Sequence, residues 1–160
     1  MQEYFQEKAI EDAEVAASRC DQRLLLLHDA DDLVGAAVHY SESGPDDEAS
    51  GRIERRLAAY ATSSHVQGGK LSTGEYASKS LLRAVVSDIA SRHSPQHQVI
   101  ITGLVLPMNK ASRACLERYG WSNVGQYRRY LLYANSLRAA RQALDVNPSL
   151  GVDAFHGPNT

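Results

Sequence analysis

Apolar residues fall along this chain in short runs separated by acidic or glycine-bearing breaks. Phe5, Ala9, Ala13, Ala16 and Cys20 recur at the spacing of one helical face, with Glu3, Glu7, Glu11 and Glu14 away from it. That pattern predicts a helix over residues 1–20. Asp21-Gln22 interrupts it, and an apolar run over 23–28 leads through Asp29-Ala30-Asp31-Asp32 to a second run over 33–40. Two strands joined by an acidic turn predict a hairpin. Residues 41–51 have loop composition and carry Glu42, Asp46, Asp47 and Glu48. A third strand is predicted over 56–66, with Leu57, Tyr60, Thr62 and Val66.

The glycine-bearing loop 67–71 then precedes Ser72 and Glu75, spaced as the capping box S-x-x-E, which satisfies free N–H groups at a helix start. The helix predicted over 72–92 has an apolar stripe of Ala77, Leu81, Leu82, Val85 and Ile89, and stops before Ser94-Pro95. Residues 99–106 are almost continuously apolar, as in a strand buried on both faces. Asn109 reads as the N-cap of a further helix and Gly120 as the residue just past its end. A last strand is predicted over 124–133 and a helix over 135–144. This order of elements predicts an α/β (α+β) fold in one domain over 1–147, with a flexible C-terminal tail over 148–160.

Composition narrows the function. The chain has 160 residues, with 17 Lys and Arg against 19 Asp and Glu, a formal charge of −2. That balance gives no general field for nucleic acid and no cationic face for a membrane. The longest apolar stretch, 24–27, is far below the ~20 residues that cross a bilayer. Residues 1–3 carry no basic leader and no hydrophobic segment follows, so a cytoplasmic chain is expected. Cys20 and Cys115 have neither metal-ligand nor disulfide-framework spacing, so no metal site is expected. Cys115 reads as a small buried hydrophobe.

The run from Asn109 through Ser112, Leu116 and Tyr119 to Gly120-Trp121 keeps the spacing N-x-x-[AS]-x-x-x-[YL]-x-x-x-G-[FW]. It follows a strand, loop and long helix over 56–92 and the buried strand 99–106, while Leu33-Val34-Gly35 sits in an earlier strand. Together these features, about two thirds of the chain, resemble the GNAT N-acetyltransferase superfamily. The resemblance implies a GNAT-like mixed central sheet flanked by helices, with an abbreviated N-terminal region. It implies acetyl-CoA as cosubstrate and transfer of its acetyl group to a primary amine by direct attack.

The resemblance also assigns residues. Ser64, His65 and Val66, with Asn109 and Ser112, would hold the pantetheine arm. Ser72, Thr73, Gly74, Tyr76, Ala77 and Ser78 would cradle the pyrophosphate at a helix N-terminus. Ser112 or Tyr119 would supply the leaving thiolate with its proton, and His65 or a water would accept the proton of the amine. His39 and Glu42 are further candidates for that proton. The family's [QR]-x-x-G-x-[GA] loop is altered to Thr73, Tyr76 and Ser78 at its landmark positions, and its helix tyrosine to Leu116. Glu75 would occupy the first helical turn, where it competes with a pyrophosphate for the dipole. A small-molecule or peptide amine is the expected partner; no membrane is, and nucleic acid only as aminoacyl-tRNA. A second reading stays open, a non-catalytic GNAT-fold binding or assembly module, with 124–133 as an edge for a homodimer.

Overall fold

The computed structural model describes residues 20–146. The helix expected over 1–20 and the tail expected over 148–160 lie outside them, save Cys20. The chain runs β1 (Cys20–Asp29), β2 (Asp32–Ser41), α1 (Pro45–Ala49), β3 (Arg52–Thr62), α2 (Ala77–Arg92), β4 (Gln98–Val105), α3 (Lys110–Arg118), β5 (Ser122–Tyr127), β6 (Tyr130–Ser136) and α4 (Leu137–Ala143). A short 3-10 turn, Ser64–Val66, follows β3. The six strands form one mixed sheet in the order β1-β2-β3-β4-β6-β5. Only β3 and β4 are parallel, joined by the crossover helix α2.

The acidic hairpin forms as the sequence predicts, with Asp29 paired to Asp32 and Ala30 at a positive φ of 52° in the turn. Asn109 caps α3 by accepting the N–H of Ser112 at 3.1 Å. The helix ends as the sequence predicts. Gly120 has φ +90°, its N–H reaches the Glu117 carbonyl at 3.1 Å, and the Trp121 N–H reaches the Leu116 carbonyl at 3.0 Å. This pair of bonds closes the last turn through a left-handed residue, which suits glycine.

Four boundaries differ from expectation. The third strand covers Arg52–Thr62 rather than 56–66, because its first residues pair with Gln98–Ile100 and the Ser63 N–H then turns to the Val34 carbonyl. The acidic loop contains α1, where Gly44 N–H is bonded to Asp47. The capping box does not form: Ser72 donates to Asp29 on β1, and α2 starts at Ala77 with Tyr76 as its cap. The single closing strand is a hairpin, β5 and β6, turning at Arg128 with φ +54°. β5 forms the sheet edge and is exposed along its length.

Leu81, Leu82, Val85, Val86 and Ile89 of α2 pack with Leu116, Tyr119, Trp121, Tyr133 and Leu144 on one face of the sheet. The helices α2, α3 and α4 all contribute to that core. On the other face Leu24, Leu26 and Ile100 are about half exposed. Among the described residues no helix is long and apolar enough to cross a membrane.

The same helix-covered face also holds a charge cluster. Arg55 is fully buried and donates to Asp21 Oδ2 at 2.9 Å and to His39 Nδ1 at 2.7 Å. His39 Nε2 lies 3.0 Å from Asp88 Oδ2, which also takes Arg92 Nε at 2.9 Å. Burial alone would raise the Asp88 carboxyl, but the bonds from His39 and Arg92 outweigh it and hold the group well below the usual carboxylate range. Removing one partner of a buried pair strands the others, at a cost on the order of 3 kcal/mol. Asp88→Ala should therefore lower the unfolding free energy read from urea titration by an amount of that order, whereas Asp145→Ala, on an exposed carboxylate paired with Lys79, should change it by less than about 1 kcal/mol.

Candidate active site

A parallel ladder that stops while both strands continue leaves unpaired backbone between them. β3 pairs with β4 from Arg52↔Gln98 to Leu57↔Gly103 and no further. Beyond that point β3 stays on β2 as far as Thr62, and β4 stays on β6 as far as Val105. The break has a local cause. Val38 pairs with Ala59 but His39 with Leu57, so Ala58 is an extra residue on β3. Such a bulge bends its strand and increases its twist. The two strands splay, and a cleft of about 830 Å³ opens where they part.

The wall of the cleft on the helix side comes from β3 and α3: Leu57, Ala58 to Ala61, Asn109, Ser112 and Leu116. Tyr60 reaches from the bent end of β3 toward both helices. Its hydroxyl donates to the Ser78 carbonyl at 3.0 Å and sits 3.4 Å from Cys115 Sγ. Burial pushes this phenol far up, so it remains a neutral donor.

Alternation along β3 places Arg55 and Leu57 against the helices, and Glu54 and Arg56 on the opposite face. There Tyr40 donates to Glu42 at 2.9 Å, and Arg56 Nε lies 3.3 Å from the same carboxylate. Arg56 also donates to Glu54 at 2.8 Å, and Thr102 donates to that Glu54 oxygen at 2.7 Å. Tyr127, Tyr130 and Leu132 from the β5–β6 hairpin complete this side. The gap thus joins an apolar, helix-lined chamber to a charged, tyrosine-lined one.

The chain before α2 is a folded excursion. Lys70 bridges to Tyr76, Leu71 N–H bonds the Glu75 carbonyl at 2.8 Å, and Ala77 N–H bonds the Gly69 carbonyl at 3.2 Å. Gly74, at φ +83°, makes the turn within it. Two bonds from Ser72 hold the Asp29 carboxyl below its ordinary range and fasten the excursion to the β1–β2 hairpin. Glu75 sits just outside the helix and is engaged by Arg83, Lys79 and Ser80. Its charge is answered by cations rather than by the helix dipole, which corrects the expectation for this residue.

Of the residues singled out from sequence, Glu42, Asn109, Ser112 and Leu116 line the cleft, and Ser78 touches it through Tyr60. Ser64, His65 and Val66 form the 3-10 turn beyond the strand, and His65 bonds its neighbour Ser63 at 3.0 Å. The splayed backbone is that of Ala58 to Ala61 instead. Tyr119 is 6% exposed and packs in the core with Trp121. Ser72, Thr73, Gly74 and Tyr76 form the excursion, and Ala77 is buried at the start of α2. His39 is buried on the helix face, away from the cleft lining. Arg56, Tyr40, Tyr127 and Tyr130 were missed. The one signal for them was strand alternation, which places Tyr40 and Arg56 on one face, where they pair directly.

No family model and no curated protein matches the sequence. Solved structures do match the fold. A Desulfovibrio desulfuricans protein described as an acetyltransferase of the GNAT family is 18% identical, with a TM-score of 0.55 over 81% of this chain and 77% of that chain. Mycobacterium smegmatis RimJ, in complex with CoA-disulfide, is 18% identical with a TM-score of 0.52 over 84% of this chain. The match spans 63% of the RimJ chain, less than two thirds of its length. The chain has the GNAT fold.

The pairing of Glu75 with Arg83 and Lys79 has a measurable consequence. Glu75→Gln frees Arg83 beside the start of α2, while Lys79 keeps its bond to Asp145, and should tighten binding of inorganic pyrophosphate by about 1 kcal/mol, roughly fivefold. Calorimetric titration at low salt checks this, and the gain should shrink as salt is added.

Proposed function

We propose that this GNAT-fold chain is an acetyl-CoA-dependent N-acetyltransferase that acts on a primary amine. The observation that carries the reading is the gap between β3 and β4 after Leu57 and Gly103, with Asn109 and Ser112 on its rim. RimJ, a structural neighbour, was solved with CoA-disulfide, which supports a CoA-type cosubstrate. In this reading the unpaired backbone of Ala58 to Ala61 and of Leu104 to Leu106 bonds the pantetheine amides. Asn109 spends its carboxamide oxygen on the Ser112 N–H, and its amide nitrogen is left for the ligand. Lys70 supplies positive charge near the start of α2 for the pyrophosphate, while Lys79 and Arg83 are held there by Asp145 and Glu75.

The amine enters from the side of Glu42 and Tyr40. Its nitrogen attacks the thioester carbonyl carbon, the C–S bond breaks, and the thiolate departs. Backbone N–H groups freed at the bulge are the donors for the oxyanion. Glu42 accepts the proton of the amine, directly or through water, because it is the cleft carboxylate that projects from the β2 end toward solvent. Ser112 bonds the departing sulfur. Cys115 is turned to Tyr60 and does not line the cleft, which favours direct transfer over a covalent acyl-enzyme.

Calorimetry with acetyl-CoA should give micromolar binding, about −8 kcal/mol, and no binding up to about millimolar overturns the reading. With an accepted amine, Glu42→Gln should lower kcat about 100-fold and leave acetyl-CoA affinity unchanged. Tyr119→Phe should leave kcat unchanged. Binding without turnover of any amine would instead support the non-catalytic module.

A further inference from the structure

The charge cluster on the helix face has no assigned role in acetyl transfer, yet it comes within one strand of the cleft, whose lining includes Leu57 and Ala58. His39 lies on β2 directly opposite Leu57, the last residue of β3 to pair with β4, and beside the extra residue Ala58. Its ring is fully buried. An arginine can only donate, so the 2.7 Å contact from Arg55 makes His39 Nδ1 an acceptor. The proton of the neutral ring therefore sits on Nε2 and is donated to Asp88 at 3.0 Å. One imidazole in one tautomer ties β2 to β3 through Arg55 and both strands to α2 through Asp88.

We propose that His39 is a positioning residue for the cleft: in its neutral form it holds the bulge that parts β3 from β4, and its protonation releases the bulge and weakens cosubstrate binding. The proposal rests on reading the gap as the cosubstrate site. A proton on Nδ1 would face the Arg55 guanidinium with no acceptor left, so the β2–β3 tie is lost while the contact with Asp88 persists. The charged groups around the ring are Arg55 from β3, Asp88 and Arg92 from α2, and Asp21 and Arg23 from β1. Burial lowers the His39 pKa from its ordinary 6.5, and the bond to Asp88 opposes this only in part. An unfolded chain would take up this proton first as the pH drops below 6.5, so both fold stability and the tie decline on acidification. At neutral pH the tie is intact.

The test compares the wild type with His39→Gln, whose amide offers one acceptor and one donor but does not titrate, and with His39→Leu, which offers neither. Two readouts are taken at about pH 7.5 and at the lowest pH at which the wild type stays folded. One is amide-exchange protection, corrected for intrinsic rates, in the β2–β3 ladder on either side of Ala58, without ligand. The other is acetyl-CoA affinity by calorimetry. The wild type should lose about tenfold in protection and about fivefold in affinity on acidification. His39→Gln should keep both nearly constant, and His39→Leu should be low at both pH values. A His39→Gln profile that tracks the wild type, or wild-type protection that does not change with pH, overturns the proposal. Absence of acetyl-CoA binding in every protein overturns the cosubstrate reading instead, while a pH-dependent loss of protection confined to the wild type still supports the His39 tie.

Discussion

Everything distinctive in this molecule follows from the early end of one parallel ladder. Buried backbone groups must be paired, and two adjacent strands normally pair with each other. Here β3 and β4 stop doing so after Leu57 and Gly103, yet neither frays, because each keeps its outer neighbour, β2 or β6. The unpaired inner edges are therefore held rigid by the outer ladders. They present hydrogen-bonding groups in a cleft, which is the condition for capturing a ligand with amides of its own. The extra residue Ala58 makes this possible by bending β3 without breaking its pairing to β2.

A bend in a strand needs support on its buried side, and this sheet supplies it with a buried charge cluster beside the apolar core that holds Leu57. Arg55, His39 and Asp88 stand where Leu or Val side chains would satisfy the core at lower desolvation cost. Burial of one face already opposes a one-residue slip of β2 along β3, which would turn every side chain over, but apolar packing gives no directed bond across the extra residue. A guanidinium aimed at one ring nitrogen and a carboxylate aimed at the other supply directed bonds there. In this molecule the polar cluster specifies register where the β2–β3 register changes.

Local signals in the sequence were read correctly wherever a short motif has a single physical outcome. The acidic turn of the first hairpin, Asn109 as cap and Gly120 as terminator all follow from backbone requirements that few residues meet. The order of elements, and with it the fold, was legible for the same reason. The failures share another cause. Ser72 and Glu75 have the spacing of a capping box, but Asp29 and Arg83 outcompete the helix for them, and both are distant in sequence or in helical phase. The turn at Arg128 and Arg129 carries no glycine or asparagine, so the hairpin of β5 and β6 read as one strand. The place where β3 leaves β4 depends on a pairing mismatch between two strands, which no single segment reveals. Site residues that depend on it, Arg56 and Tyr40 among them, were hidden with it.

The position of Leu116 bears on how the proposed transfer would end. It is 4% exposed, packs with Tyr119 and Trp121, and turns an apolar side chain to the cleft. Tyr60, the nearest phenol on the helix side, is committed to Ser78 and made a weaker acid by burial. Ser112 is the remaining hydroxyl on that wall, and an aliphatic hydroxyl is a far weaker acid than a thiol. It can stabilise a departing thiolate by a hydrogen bond but cannot give it a proton at neutral pH. Under the proposed chemistry the thiolate is therefore protonated by solvent entering the open cleft, or leaves as the anion. The chain then spends its preorganised groups on binding the thioester and on the developing oxyanion, which is where electrostatic preorganisation contributes most to acyl transfer.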